Sequence, residues 1–120
     1  MKRIILIIGL FTIGLAVNAQ SECKPVAPEV VQQTITKVKA QSFDEGKLKL
    51  ISDLVTEKCI TTEQFLNLVK QLSFEEDKIM ITKKVYPKLL DPQNIDLVLN
   101  TFEFETSKKE VLSFITGLKK

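Results

Sequence analysis

Phe43-Asp44-Glu45-Gly46-Lys47-Leu48 returns 31 residues later as Phe74-Glu75-Glu76-Asp77-Lys78-Ile79. A worn third copy, Phe104-Glu105-Thr106-Ser107-Lys108, follows after a further 30. A fixed period near 30 residues marks a repeated helix–turn–helix unit. Each unit is one helix that begins at the Phe motif and one that ends just before the next Phe.

Two cap assignments start each helix within about two residues of the same place. If Asp44 and Glu75 sit at or near the N-cap, Phe43 and Phe74 precede it and can clip onto Leu48 and Ile79 as hydrophobic staples. If Ser42 and Ser73 are the caps, Glu45 and Glu76 complete capping boxes. In both cases the acids lie at the positive end of the helix, and Lys47 and Lys78 follow them on the same face. The repeated chemistry of the motif therefore reads as structural. The alternative is a repeated binding face, which the third copy weakens, since Lys109 stands where a staple residue belongs.

On both sides of the motif, apolar spacing of three and four predicts helices throughout. The first spans 28–41, with Pro28 in its first turn and Val31, Ile35 and Val38 on one face. The second spans 44–57, with Leu48, Ile51 and Val55 in line. The third spans 62–72, with Thr61 and Gln64 as a capping box and Phe65, Leu68, Val69 and Leu72 as its stripe. The fourth spans 75–90 and should kink or stop early at Pro87. The fifth starts at Asp91-Pro92 and buries Ile95, Val98, Leu99 and Phe102. The sixth spans 107–118, capped by Ser107 and Glu110. The expected fold is all-α: five or six short helices packed as consecutive hairpins. All six phenylalanines beyond Phe11 (Phe43, Phe65, Phe74, Phe102, Phe104 and Phe114) fall at core or staple positions.

The N-terminal segment sets the compartment. Lys2 and Arg3 precede an uncharged run from Ile4 to Val17, and Val17-Asn18-Ala19 offers small residues for cleavage. This is the pattern of a secretory signal peptide over 1–19. The run is shorter than the ~20 apolar residues that a membrane-spanning helix needs. Residues 20–27 are a polar, Pro-punctuated lead-in and 28–118 the helical domain. The expected location is the periplasm or outside the cell, with no transmembrane span after cleavage.

The whole chain carries 17 Lys+Arg, 15 Asp+Glu and no His. Removing 1–19 takes away Lys2 and Arg3, so the remaining 15 Lys balance the 15 acids. No Arg, His or Trp is left, and Tyr86 is the single Tyr. A neutral chain without guanidinium groups is a poor reader of nucleic acid or phosphate. Cys23 and Cys59, an even pair in an oxidising compartment, are expected to form a disulfide that staples the lead-in onto an inter-helix turn. Two thiols without His make half a zinc site, and a nucleophilic Cys lacks its base.

No catalytic, cofactor-binding or metal-binding set emerges. Glu75-Glu76-Asp77 reads as a dipole-matched helix start rather than an acid–base pair. Asp91-Pro92-Gln93-Asn94-Ile95-Asp96 is the nearest approach to a calcium loop, and a Pro-started helix explains it. No GxSxG elbow or phosphate-cradling loop is present.

Cys23-x-Pro25, Phe43-Asp44-x-x-Lys47-Leu48, Cys59-Ile60-Thr61-x-x-Gln64, Phe74-Glu75-x-x-Lys78-Ile79, Tyr86, Asp91-Pro92-x-Asn94, Val98-x-x-x-Phe102 and Phe104 together resemble the DUF4476 family. The resemblance covers nearly all of 23–118. It implies a small helical domain of unknown function, of a kind frequent in exported proteins of Bacteroidetes-type bacteria. Gly46 and Pro87 depart from good helix formers. The functional expectation is a non-enzymatic interaction domain whose partner is a protein or an envelope component. A carrier of small apolar ligands is the alternative, and a carboxylate-based hydrolase ranks last.

Overall fold

A computed structural model describes residues 23–118. The signal-peptide reading of 1–19 lies outside the described residues. Along the chain come strand β1 (Lys24–Pro25), helices α1 (Pro28–Lys39) and α2 (Asp44–Leu54), strand β2 (Lys58–Cys59), helices α3 (Thr62–Val69) and α4 (Glu75–Val85), 3-10 turns at Tyr86–Lys88 and Pro92–Asn94, then α5 (Asp96–Leu99) and α6 (Glu105–Leu118).

The local rules account for most of these boundaries. Pro28 opens α1, Glu29 sits in its first turn, and Lys37 and Lys39 lie in its last, matching the helix dipole. Thr61 and Gln64 form the expected capping box on α3: the Gln64 N–H donates to Thr61 Oγ1 at 3.1 Å and the Thr61 N–H to Gln64 Oε1 at 3.0 Å. The buried stripes are Val31, Thr34, Ile35 and Val38 in α1 and Phe65, Leu68 and Val69 in α3. Gly46 leaves room for a neighbour. A Cβ there would run into Gln41 Oε1, so the Gln41 side chain occupies the space another residue would fill.

Several helices stop earlier than their periodicity implies. The second ends at Leu54, because Lys58–Cys59 are drawn into a parallel pairing with Lys24–Pro25. The fourth ends at Val85. Pro87 tightens the chain into a 3-10 turn, after which the Leu89 N–H reaches Tyr86 O at 3.1 Å. The fifth is a 3-10 turn at Pro92 followed by one turn of α-helix, yet it buries Ile95, Val98, Leu99 and Phe102 as the spacing requires. The sixth begins at Glu105 rather than 107. Ser107 lies inside it, buried, and Glu110 pairs with Lys83 at 2.7 Å instead of capping.

The hairpins stack in two rows. Helix α1 packs on α2 and α3, α3 on α4 and α5, and α4 on α2 and α6. The odd-numbered helices form one row and the even-numbered helices the other. At one end the crossing segments are extended. There β1 pairs with β2, and Ile60 bridges to Leu89 through Ile60 N–H to Lys88 O (3.0 Å) and Leu90 N–H to Ile60 O (2.9 Å). The all-α expectation thus needs a correction: a two-stranded parallel ribbon ties these crossings together. The Cys23–Cys59 disulfide sits on that ribbon, with the two Cα atoms 5.5 Å apart. It joins the lead-in to the α2–α3 turn.

One apolar core runs between the rows, built on Val38, Ile51, Ile60, Phe65, Leu68, Ile81, Val85, Val98 and Val111. Each such side chain contributes about 1.5–3 kcal/mol by leaving water.

Candidate functional site

The end of the stack opposite the ribbon holds all three Phe motifs. Asp44, the first residue of α2, reaches into the turn between α3 and α4. Its Oδ2 accepts the N–H groups of Ser73 and Phe74, each at 3.0 Å, and Oδ1 accepts Ser73 N–H at 3.0 Å. Lys47, one turn on, donates to Gln71 O at 2.8 Å and lies 3.8 Å from Asp44.

Glu75, the first residue of α4, does the same to the next turn. Its carboxylate accepts Glu103 N–H at 3.2 and 3.0 Å and Phe104 N–H at 3.1 Å, while Lys78 donates to Thr101 O at 3.3 Å.

The chemistry is that of unsatisfied helix ends. A helix leaves its first N–H groups and last carbonyls without internal partners. The chain entering α4 offers donors and the chain leaving α3 offers an acceptor. One acid–lysine pair from α2 serves both, with charges of the sign the helix dipoles favour. Asp91 performs a related task at the ribbon end. Its Oδ1 accepts the first N–H of α3, from Thr62, at 2.7 Å, and its carbonyl accepts Thr62 Oγ1–H at 2.9 Å.

Titration follows the contacts. Burial works against the charge on Asp44, but Ser73, Phe74, Asp77 and Lys47 outweigh it and hold the carboxyl below its usual range. Burial also opposes ionisation of Glu75, and Ser107, Phe104, Glu103 and Lys78 overcome it. Asp91 is lowered likewise, with Asn94 and Thr62 overcoming burial. Asp77 goes the other way: burial, then Asp44, then the charge of Glu76 push it up. Asp44 and Asp77 are thus a facing pair of acids whose titrations part, but every Asp44 oxygen is already held by backbone donors.

The aromatic side chains depart from expectation. Phe65 and Phe102 are core, and Phe114 is half-buried. Phe43, Phe74 and Phe104, expected as staples or core, are 78%, 64% and 57% exposed. The reason is a one-residue register difference. Phe43 and Phe74 are themselves the N-cap residues, in extended conformation, so Leu48 and Ile79 fall beyond the fourth helical position a staple uses. Neither Ser42 nor Ser73 is the cap, and neither Phe cap is side-chain bonded. Because Asp44 touches the backbone of Phe74, and Glu75 that of Phe104, neighbouring phenylalanine backbones stand roughly 8–10 Å apart, the spacing of packed helices. All three exposed rings belong to helix starts at the same end of the stack.

Elsewhere, a surface groove of about 610 Å³ lies between α4 and α6, lined by Ile79, Met80, Phe114, Lys83, Glu76 and Glu110. Lys83 Nζ sits 5.8 Å from the Phe114 ring centroid. Among the described residues no cluster of three or more His, Cys, Asp or Glu could hold a metal, and no helix is long and apolar enough to cross a membrane.

The motif is legible in the sequence, where its acid reads as serving its own helix; the recurrence of acid and lysine at one spacing is the signal there for a contact between motifs. The Thr62–Asp91 link left no signal in local patterning. A family model described as a domain of unknown function (DUF4476) matches residues 25–115. Neither the curated proteins nor the solved structures include a match.

Proposed function

The chain belongs to the DUF4476 family, and from that footing we propose that it is an exported, non-enzymatic interaction module, built of ~30-residue units, that binds a protein or an envelope component through the Phe43–Phe74–Phe104 edge. The three exposed phenylalanines carry this reading. Three large aromatic side chains left in water at equivalent places are costly to solubility, and contiguous exposed apolar surface marks interaction sites. The acid–lysine contacts support the unit reading, since Asp44/Lys47 and Glu75/Lys78 bond to backbone at matching offsets. The disulfide supports export, because such bonds persist in oxidising compartments.

The test is affinity capture from the native envelope with wild type and with the triple variant Phe43→Ser/Phe74→Ser/Phe104→Ser. A partner retained by wild type and lost by the equally stable variant is expected. Identical partner sets for both proteins would sink the proposal.

One observation favours a second reading, a carrier of small apolar ligands: the α4–α6 groove presents Ile79, Met80 and Phe114 between charged flanks. Stoichiometric ligand in a solvent extract of the native protein would support it. The hydrolase reading has least support, because Asp44 and Glu75 spend their oxygens on backbone donors, and Asp91 spends its own on Thr62 and Asn94.

A further inference from the structure

The third acid–lysine pair has nothing to hold. Glu105 and Lys108 occupy the same positions in α6 that Asp44/Lys47 and Glu75/Lys78 occupy in α2 and α4. Among the described residues they bond only to each other, at 3.3 Å, with the Glu105 side chain 77% exposed. The rest of that helix face is bare too. Residues one, four and eight of a helix share a face. In α2 that face is Asp44, Lys47 and Ile51, and in α4 it is Glu75, Lys78 and Thr82. Ile51 and Thr82 are 0% exposed, whereas Leu112, the matching residue of α6, is 43% exposed.

The opposite end of the stack lacks the complementary half. Ser42 and Phe43 enter α2 as Ser73 and Phe74 enter α4, yet among the described residues their N–H groups have no acceptor. Val30 is 41% exposed on the same terminal hairpin, beside a groove of about 410 Å³ where Ala27, Val30 and Leu54 meet the charged Asp53, Glu57 and Lys58. Terminal units of a stacked array normally carry a polar outer face. Here each outer face is polar but leaves a large apolar side chain exposed, Leu112 on α6 and Val30 on α1, and the two faces are complementary, one offering an acid and a lysine and the other free donors.

We infer that the occupant of the α6 face is a second copy of this chain, docked head to tail. Glu105 of one copy takes the Ser42 and Phe43 N–H groups of the next, Lys108 takes the carbonyl of Ala40, and Leu112 is covered by the incoming hairpin. The contact continues the α2–α4 and α4–α6 interfaces across molecules. It is heterologous, and continued along the direction of the stack it builds open chains of variable length. The inference shares the unit reading with the proposed function but not the phenylalanine edge.

Two measurements test it. Sedimentation of the purified protein should show average mass rising with concentration into the millimolar range, and Glu105→Lys/Leu112→Lys, both at exposed positions, should weaken association at least tenfold without lowering Tm. Phe74→Ser should leave association intact, which separates this contact from the proposed binding edge. Single variants Ser42→Cys and Thr106→Cys, treated with a short bis-maleimide, should cross-link when mixed and not when alone. A single-chain mass at all concentrations would overturn the inference, as when another protein or a following segment covers α6. Cross-linking of either variant with itself would also overturn it, by showing a two-fold contact.

Discussion

Asp44 Oδ2 stands 3.0 Å from the backbone nitrogen of Phe74, 30 residues away in sequence. A residue at the start of one helix thereby sets where another begins, and Glu75 repeats the relation with Phe104 at 3.1 Å. The helix starts are linked in series.

Removing the first link should cost most. Asp44 is buried, and Asp44→Ala leaves two N–H donors without their acceptor and Lys47 without its counter-charge. The expected loss is about 3 kcal/mol, from charge-assisted hydrogen bonds and stranded donors. Glu75→Ala, in a more open setting, should lose about 1 kcal/mol. Urea denaturation of the two variants should order them this way; equal losses would show that the depth of the carboxylate does not matter.

Acid should unfold the protein through the same groups. Asp44, Glu75 and Asp91 have folded values below the usual 3.8, 4.5 and 3.8, so the unfolded chain binds their protons first. Their stabilisation is full above those usual values and is lost as pH falls through the lower folded ones. Asp77 is raised, so its contribution is lost as pH rises from 3.8 through its folded value. Asp77→Asn should therefore stabilise the protein at pH 7 by about 0.5 kcal/mol, as relief of a like-charge contact. The gain should vanish below pH 3.8, where both states are protonated. A gain that persists in strong acid would assign the effect to packing.

Thr82 Oγ1 is buried with no hydrogen-bond partner. Thr82→Val keeps the shape and removes the stranded hydroxyl, so it should raise stability by about 1 kcal/mol. Thermal unfolding should show this as a rise of roughly 4–8 °C in Tm. A fall would mean that the hydroxyl is satisfied in solution.

The disulfide closes a loop with a sequence separation of 36. The chain-entropy relation assigns about 4 kcal/mol to a loop of that length. Cys23→Ser/Cys59→Ser should lose about that much, and β1, which has few other contacts than β2 and the bond itself, should lose hydrogen-exchange protection first. Unchanged protection at Val26, whose N–H meets Cys59 O at 2.8 Å, would contradict this.

The local part of the fold is written in the chain alone. The stripes of α1 and α3, the Thr61–Gln64 capping box, the stop at Pro87 and the cysteine pairing were legible, because each rests on spacing within a turn or on simple parity. The role of the Phe motif follows from packing between hairpins. Whether Phe43 is a staple or a cap depends on a one-residue difference that caps of similar strength leave open. Whether Asp44 serves its own helix or a turn 29–30 residues on depends on which backbone donors the stacked hairpins bring beside it. Local patterning records how one segment buries its stripe; it holds no term for the donors that a neighbouring hairpin leaves unsatisfied, and those donors placed the acids inward and left the rings in water.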